Sequence, residues 1–332
     1  MSRDEATLSR LLHTLSSGHY HSGDELGQRL GISRAAVWKQ LQKLSELGIE
    51  LESVRGRGYR LLGGLELLEP DRLWEQLGDQ TRAQLTELEV LSVTDSTNSQ
   101  AMQRAALGQG GYVCLAEQQT AGRGRRGRTW VSPFARNLYL SLSWGFEGGA
   151  AQLEGLSLAV GVAMCQVLES EGVGAVGLKW PNDLLWKQRK LAGVLLEMTG
   201  DPAGACQVVV GVGLNLAMPD QPARDIEQPW ADLETVCASE RCPVPGRNVL
   251  AARLIDALVA LLSGYHREGF AAWREAWLAR DAFAGRRVVV SSGARAQEGI
   301  ARGVDVSGAL LLEQDGERVL CHGGELSMRA AS

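Results

Sequence analysis

Four arginines and three glycines occupy seven consecutive positions, 122–128. Arginines this close repel one another unless an anion lies among them, and a guanidinium group binds phosphate or carboxylate through paired hydrogen bonds. The glycines let the backbone turn sharply and approach an anion closely. Their spacing also satisfies the dinucleotide-binding pattern G-x-G-x-x-G, but that pattern needs a helix directly after it, which Pro133 precludes. The segment predicts a loop that orders around a phosphate-bearing ligand, with a basic surface loop or a nucleic-acid patch as the alternative.

Four further polar sites lie where predicted strands begin or end. The run Asp95–Asn98 precedes a predicted helix, where such side chains cap the helix or bind a polar ligand. The run Lys179–Asp183 brings a cation and a carboxylate together, which suits a nucleotide phosphate and its magnesium ion. Lys190 opens a returning strand, and Gly211–Asn215 closes a valine-rich strand with an amide that can pair with a base edge. Taken singly, each motif fits a structural role as well.

The elements that would position these motifs alternate between strands and helices from about residue 85 to 280. Apolar runs bounded by turn residues predict strands, and apolar positions three and four apart predict helices. Lys187-Gln188 between two such runs predicts a hairpin. The mixture of hairpins and helices predicts an α+β sheet domain. The predicted strands cover 88–93, 112–118, 137–144, 176–179, 184–187, 192–199 and 207–214, and the predicted helices cover 97–107, 153–171, 248–265 and 269–279.

The first 62 residues predict three helices and a hairpin. Apolar spacing predicts helices over 5–16, about 23–30 and about 34–47, with Ser22 and Ser33 as N-caps of the last two. A short turn containing glycine joins the second and third helices, which is the pattern of a helix-turn-helix.

One face of the third predicted helix is apolar, and the opposite face is small at its start and basic further along. Alternation over 49–62 predicts a hairpin with Arg55 and Arg57 at its tip. A hairpin in this place is a wing that reaches phosphates. The alternative is a small three-helix domain with solvated cations.

Two changes of composition divide the rest of the chain. Residues 63–82 are leucine-rich and acidic and predict a linker with a short helical piece after Pro70. From about 283, short β runs with an Asp315-Gly316 hairpin turn predict a small β-barrel. The expected domains are a winged helix-turn-helix at 1–64, a linker at 65–82, a catalytic domain at 83–280 and a small β domain at 281–332.

Composition excludes several classes of protein. The 332 residues are 45% hydrophobic and 22% charged, which is ordinary globular usage and excludes a collagen-like or disordered chain. The net charge of −5 argues against non-specific polyanion binding, yet residues 1–62 hold nine Lys/Arg against seven Asp/Glu, so that segment remains compatible with nucleic acid. The six cysteines show no zinc or C-x-x-C spacing and are expected to be reduced and mostly buried. No apolar run approaches bilayer length, and we expect a cytoplasmic protein with no membrane partner.

Together these motifs resemble those of the bifunctional biotin–protein ligase and biotin-operon repressor family of bacteria. The resemblance implies an α+β chain with an N-terminal winged helix-turn-helix, a central mixed-sheet biotin-protein-ligase catalytic domain and a C-terminal small SH3-like β-barrel. The resemblance covers nearly the whole chain. The motifs that carry it are Ser-Thr-Asn at 96–98, residues 122–128 with Trp130, Lys-Trp-Pro-Asn-Asp at 179–183, Arg-Lys-Leu-Ala-Gly at 189–193, Gly-Val-Gly-Leu-Asn at 211–215, His-Ser-Gly at 21–23, Ser-Arg-Ala-Ala at 33–36 and Gly-Gly-Glu-Leu-Ser-Met-Arg at 323–329.

The resemblance implies a biotin–[acetyl-CoA-carboxylase] ligase that works in two steps. The biotin carboxylate attacks the α-phosphate of ATP to give biotinyl-5′-adenylate and pyrophosphate, and a lysine of biotin carboxyl carrier protein then displaces AMP. ATP with Mg²⁺ is the co-substrate, and no cofactor is permanently bound. Bound adenylate would favour a homodimer that represses biotin synthesis genes at a palindromic operator DNA.

The resemblance also implies roles for the matching residues, and it implies no direct structural metal site. The implied catalytic residues are Arg125, Lys190, Lys179 and Asp183, with Mg²⁺ near Asp183. Biotin would contact Ser96, Thr97, Asn98, Gln119, Arg123, Gly124, Arg125 and Lys190. The nucleotide would contact Arg125, Arg126, Arg128, Trp130, Asn215 and Trp230. DNA would contact Ser33, Arg34, Ala35, Trp38, Lys39, Gln42, Lys43, Arg55 and Arg57.

Three alternatives stay open on the sequence. One is a ligand-sensing repressor whose ligase half does not turn over, and another is a monofunctional ligase with a vestigial winged domain. A lipoate–protein ligase shares the fold, although the arginine-rich loop disfavours it.

Overall fold

The computed structural model describes residues 3–292, 295–323 and 326–331. Two short N-terminal helices begin where serine side chains cap them, as predicted. Ser22 accepts the Glu25 amide at 3.0 Å, and Ser33 accepts the Ala36 amide at 3.2 Å. The elements are α1 (Arg3–Leu15), α2 (Gly23–Leu30), α3 (Arg34–Glu46), β1 (Leu51–Val54) and β2 (Gly58–Leu61). The predicted helix-turn-helix with its hairpin is confirmed.

Residues from outside this N-terminal unit complete its core. Leucines of α1, α2 and α3 pack together, and Phe134 and Ala135, which follow the arginine-rich segment, join the same buried cluster. Ala135 adopts φ 54°, and its N–H donates to the Glu117 carbonyl. The chain that leaves the arginine-rich loop therefore packs directly against the N-terminal unit.

The central elements follow in chain order. Helices and strands alternate much as predicted, although two helices begin in the linker segment, where one short helical piece was expected. The elements are α4 (Pro70–Gln76), α5 (Asp79–Gln84), β3 (Glu87–Thr94), α6 (Thr97–Ala106), β4 (Tyr112–Gln119), β5 (Leu138–Phe146), α7 (Leu156–Ser170), β6 (Val176–Lys179), β7 (Asp183–Trp186), β8 (Arg189–Gly200), β9 (Cys206–Leu214), α8 (Asp220–Ala223), α9 (Leu233–Glu240), α10 (Arg247–Glu268) and α11 (Arg274–Leu278).

The central sheet is mixed and has the strand order β3-β4-β5-β9-β8-β7-β6. Strands β3 and β4 pair in parallel, and the remaining neighbours pair antiparallel. Because side chains alternate along a strand, the sheet has two apolar faces. One face packs against α7 and α10, and the other packs against Ala101 and Ala105 of α6. The N-terminus of α6 lies at the end of β3, on the face opposite α7 and α10.

The segment between the wing and the sheet is tied down by a buried ion pair. Leu68, Leu73 and Leu77 belong to the core of the central unit. Arg247, at the start of α10, lies 2.7 Å from Glu117 of β4, and both side chains are buried. The other Glu117 oxygen accepts the Leu68 amide at 2.6 Å. This segment is therefore anchored two residues before the end of β4.

Two helical stretches in the described residues are long and apolar enough to cross a membrane, although no such run was expected from the sequence. They are 150–170, which includes α7, and α10. Most of each apolar stretch is buried inside the protein, where α7 and α10 pack against each other and the sheet. Their apolar character is that of core helices.

The C-terminal unit is a small antiparallel sheet. Its strands are β10 (Arg287–Ser292), β11 (Arg295–Val304), β12 (Leu310–Gln314), β13 (Glu317–Cys321) and β14 (Ser327–Ala330), in the order β13-β12-β11-β10-β14. The small β domain is confirmed, but in the described residues β13 and β14 do not pair to close a barrel. The predicted hairpin turns at Lys187-Gln188 and Asp315-Gly316 are also confirmed, since all four residues adopt positive φ.

Candidate functional site

A buried polar floor lies where α6 meets the ends of β3 and β4. The Thr97 backbone N–H donates to Gln119 Oε1 at 2.9 Å, and the Thr97 hydroxyl donates to the same oxygen at 3.1 Å. Ser96 occupies the N-cap position, yet its side chain makes no cap hydrogen bond. Ser96, Thr97 and Asn98 are all buried. The motif therefore presents polar groups inside the molecule, although the cap interpretation of Ser96 is not realised.

The floor continues across the sheet through Asn98. The Ser141 hydroxyl, on β5, donates to Asn98 Oδ1 at 2.6 Å, and Asn98 Nδ2 donates to Glu197 Oε2, on β8, at 2.7 Å. A Cβ at Gly211 would lie 2.0 Å from Asn98 Oδ1, so only glycine leaves room for this amide.

The arginine-rich segment folds as a closed loop beside this floor. Gly124 donates its backbone N–H to the Arg128 carbonyl at 2.7 Å, and Trp130 donates to the Gly122 carbonyl at 2.9 Å. Arg126 sits at φ 60° in the left-handed region, which costs energy for a residue other than glycine. The loop backbone thus turns sharply enough to direct its arginines into the space above the sheet.

Trp130 lies flat on the sheet where two strands carry glycine. A Cβ at Gly213 would lie 2.5 Å from Trp130 Cε2, and one at Gly193 would lie 3.2 Å from Cζ3. The indole Nε1 is buried and has no hydrogen-bond partner in the described structure. An unpaired buried donor is costly, so this N–H is a candidate to donate to a ligand.

Three charged side chains meet at the turn between β6, β7 and β8. Asp183 lies 2.7 Å from Lys190 Nζ and 3.6 Å from Lys179 Nζ. Burial lowers the pKa of the Lys179 ammonium, and the Asp183 carboxylate opposes that shift. The Lys190 ammonium also lies 5.3 Å from the centre of the Trp130 ring. Asp183 thus holds two cations close to the loop.

Arg125 bridges the loop, the central sheet and the C-terminal unit. Its guanidinium donates to Asn182 Oδ1 at 3.3 Å and to the Leu326 carbonyl at 3.2 Å. Burial lowers the pKa of the Arg125 guanidinium, and the Asp183 carboxylate opposes that shift. The neighbouring Arg126 donates to the Ser327 hydroxyl at 3.0 Å. The C-terminal unit therefore helps to hold the loop.

A second cavity, of about 420 Å³, opens beyond Trp130 and reaches Asn215 and Trp230. Asn215 is buried, and its amide donates to the Ala231 carbonyl at 3.1 Å. The backbone around Trp230 pairs with that of Lys190, since the Lys190 N–H donates to the Pro229 carbonyl at 2.9 Å. This cavity is half apolar and carries an amide, which suits a flat heterocycle.

The structure brings the predicted ligand residues together around three adjoining cavities. The third, of about 610 Å³, opens towards the C-terminal unit. No cluster of three or more His, Cys, Asp or Glu that could hold a metal is present within the described ranges. The first cavity is lined by Ser96, Thr97, Asn98, Gln119, Arg123, Gly124, Arg125, Trp130 and Lys190; the second by Arg128, Trp130, Lys190, Asn215 and Trp230; the third by Gly124, Arg125, Arg126, Arg128, Trp130, Lys179, Asp183 and Lys190.

The residues predicted to contact DNA lie on the N-terminal unit, apart from these cavities. Trp38 is 56% exposed although it is a large apolar residue, and Lys43 is half-buried. Arg57 of the wing stacks on the Tyr20 ring, 4.4 Å from its centre. The remaining predicted residues are all exposed: Ser33, Arg34, Ala35, Lys39, Gln42, Arg55 and Arg57.

Two residues that complete the floor, Ser141 and Glu197, were not predicted from the sequence. A serine on an apolar strand and a glutamate within the run Val194–Gly200 are signals that a single sequence offers, because a polar group buried in a sheet needs a partner. Neither signal shows which residue is the partner. Asn182, by contrast, belonged to a motif already singled out, and its link to Arg125 depends on the fold.

All six cysteines are free thiols, and Cys242 alone of the six is not fully buried, which confirms that part of the sequence analysis.

Three family models match the chain. Residues 89–215 match the biotin/lipoate A/B protein ligase family, residues 7–60 match a helix-turn-helix domain, and residues 283–329 match the biotin protein ligase C-terminal domain. The three matched segments correspond to the three units of the structure.

Relatives and solved structures agree with these matches. The chain is 43% identical over 329 residues to the bifunctional ligase/repressor BirA of Salmonella typhimurium and 42% identical to that of Escherichia coli, covering 99% of each chain. A solved biotin protein ligase from Aquifex aeolicus, in complex with biotin and ATP, superposes with a TM-score of 0.63 at 23% identity. It covers 74% of this chain and 100% of its own, and it shows the shared fold.

Proposed function

The chain belongs to the BirA family of biotin protein ligases, and on that basis we propose that it activates biotin with ATP and transfers the biotinyl group to a protein lysine. In the first step a biotin carboxylate oxygen bonds to the α-phosphorus of ATP, and pyrophosphate leaves. In the second step a lysine amine of the biotin carboxyl carrier protein of acetyl-CoA carboxylase bonds to the acyl carbon, loses a proton, and AMP leaves.

One observation carries this proposal: Lys190 lines all three cavities. The first cavity would take the biotin ring and the second the adenine, so the bond between them forms beside this ammonium. A carboxylate and a triphosphate repel each other, and fixed cations reduce that repulsion in the transition state. The third cavity, rich in arginine and lysine, would take the leaving pyrophosphate.

Positioning then does most of the catalytic work, because no protein nucleophile is required. Ser96, Thr97 and Gln119 would bind the ureido ring of biotin. Arg125 and Lys190 would bind the biotin carboxylate and the α-phosphate of ATP. Trp130 would cover the ligand as the loop closes, with its free indole N–H as a donor. Asn215 and Trp230 would hold the adenine.

Magnesium fits this site only as a partner of the nucleotide. Asp183 supplies a carboxylate, but both of its oxygens already face lysine ammonium groups. Mg²⁺ prefers several waters and phosphate oxygens to an all-protein cage. We propose that it enters bound to ATP and that Asp183 and Lys179 help to orient the complex.

Replacing Arg125 with glycine is expected to speed the release of biotinyl-adenylate about tenfold to hundredfold. A hydrogen bond to a charged group contributes about 1.5–3 kcal/mol, and the variant also frees the loop from Asn182. Dissociation is measured by chasing labelled adenylate with unlabelled ligand. Arg241→Gly is the matched control, because Arg241 is exposed and already adopts φ 59°. Equal release from Arg125→Gly and wild type would refute the assignment.

We also propose that the N-terminal unit binds operator DNA as part of an adenylate-dependent homodimer. The exposed face of α3 and the wing carry the cations that phosphates need. Phe134 links this unit to the chain that leaves the arginine-rich loop, so ordering of the loop has a direct structural path to it. A gel shift that requires both biotin and ATP supports this second function, and its absence would favour a ligase with a vestigial winged domain.

Replacing Arg55 and Arg57 together with alanine is expected to lower the salt dependence of DNA binding. Each lost phosphate contact reduces the slope of log K against log salt by about 0.9, so the pair reduces it by about two. The titration uses a palindromic duplex selected from a random pool by the wild-type protein with biotin and ATP. Arg318→Ala, on β13, is the control. An unchanged slope would show that Arg55 and Arg57 of the wing do not contact the DNA phosphates.

The ligase proposal is tested by biotin-dependent exchange of labelled pyrophosphate into ATP. Exchange requires the first step and its reversal, so a protein that binds biotin and ATP without joining them gives none. Lipoate in place of biotin distinguishes the two activities of the matched family, and we expect exchange with biotin alone.

A further inference from the structure

One carboxylate links the polar floor to the arginine-rich loop, and no sequence motif pointed to it. Glu197 Oε2 accepts a hydrogen bond from Asn98 Nδ2 at 2.7 Å and lies 3.2 Å from Arg123 Nη2. Arg123 also donates to the Ser99 hydroxyl at 3.4 Å. The side chain of Glu197 is 27% exposed and that of Arg123 is 45% exposed, and Arg123 lines the first cavity.

These contacts extend a chain of hydrogen bonds through the floor. Gln119 binds Thr97, the Thr97 and Ser141 hydroxyls lie 2.8 Å apart, and Ser141 binds Asn98. Asn98 then binds Glu197, and Glu197 binds Arg123. This series of hydrogen bonds runs from the end of β4 to the loop, so the floor and the loop share one hydrogen-bond network.

The charge of Glu197 matters because the loop is strongly cationic. Four arginines in six residues repel one another, and that repulsion opposes closure when no anionic ligand is present. Glu197 neutralises the first of these arginines on the floor side of the loop. On the other side, Asp183 attracts Arg125. Two carboxylates on different strands thus attract the cationic loop.

We infer that Glu197 is a positioning residue that latches the loop through Arg123 and thereby slows release of the adenylate. The inference rests on the proposed function, since it names the residue that holds the loop over that ligand. Glu197 touches no reacting atom; it acts on Arg123 through charge and on Asn98 through a hydrogen bond.

Two variants separate these roles. Glu197→Gln keeps an oxygen that accepts the Asn98 bond but removes the charge that attracts Arg123. It is expected to speed adenylate release about threefold to fivefold, which is the upper part of the range for an exposed ion pair. Glu197→Asp keeps the charge on a shorter side chain. Its rate of adenylate release is expected to lie between the rates of Glu197→Gln and wild type. Glu147→Gln, at an exposed site after β5, is the control and should match wild type.

The decisive measurement is the release of synthetic biotinyl-adenylate from wild type, Glu197→Gln, Arg123→Gln and the double variant. A latch that acts through Arg123 predicts that Glu197→Gln adds no further increase once Arg123 is glutamine. The inference is overturned if Glu197→Gln releases as wild type does, or if it adds the same factor in both backgrounds, as a general structural defect would. Because the adenylate is supplied ready-made, a protein that binds it without forming it contradicts the proposed function while the latch is still tested.

Discussion

Replacing Lys190 with methionine is expected to lower the rate of biotinyl-adenylate formation about 100-fold to 1,000-fold. Removing one preorganised group that stabilises transition-state charge costs about 2.7–4 kcal/mol. Lys190 is well placed for this role, since its ammonium lies where the three cavities adjoin and its side chain is 16% exposed. Methionine keeps an unbranched side chain of nearly the same length, so the main change is the lost positive charge. The rate is followed by single-turnover formation of the adenylate.

Lys187→Met is the matched control for this experiment. Lys187 lies in the turn between β7 and β8, where its ammonium stacks over the Trp186 ring and donates to the Ser239 hydroxyl. It lines none of the three cavities. We expect a rate close to that of wild type. If Lys190→Met forms adenylate within threefold of the wild-type rate, the ammonium has no part in the first step.

Replacing Arg247 with methionine is expected to lower the free energy of unfolding by about 3–5 kcal/mol. Removing one partner of a buried ion pair leaves the other charge buried and uncompensated. The Arg247 and Glu117 side chains are 7% and 6% exposed. Arg247 also donates to the Asn137 carbonyl at 3.0 Å, so the variant loosens the start of β5 as well. Urea unfolding followed by circular dichroism measures the change.

The surface pair Arg287 and Glu298 is the control, since their side chains are 69% and 51% exposed. Arg287→Met should change the free energy of unfolding by no more than about 1 kcal/mol. Adding Glu117→Gln to Arg247→Met should recover part of the loss, because no buried charge then remains. Equal destabilisation by Arg247→Met and Arg287→Met would show that the buried pair does not anchor the segment before α4.

The features that the sequence predicted well depend on neighbours along the chain. Ser22 and Ser33 cap the helices that follow them, and Asp315-Gly316 forms the predicted tight turn. Strand and helix positions in the central sheet follow from apolar spacing. The residues predicted to bind the ligand line the three adjoining cavities, and most of them belong to short motifs that together resemble one family.

The features that were missed depend on residues far apart in the chain. Glu197 meets Arg123 across 74 positions, and Phe134 enters the core of the N-terminal unit. The acidic, leucine-rich composition of 63–82 indicated a linker, yet Leu68, Leu73 and Leu77 are buried, and α4 packs against α10 and β3. Short polar sequence around β14 gave no strand signal, and its pairing with β10 makes it a strand.

The most direct test of the whole account is mass spectrometry of a biotin carboxyl carrier domain after incubation with this protein, biotin and MgATP. The account predicts that one acceptor lysine gains a single biotinyl group, and that omitting ATP or substituting Lys190→Met protein greatly reduces the gain. An acceptor that remains unmodified, while the same protein binds DNA in response to biotin and ATP, would contradict the account and leave a sensor without ligase activity.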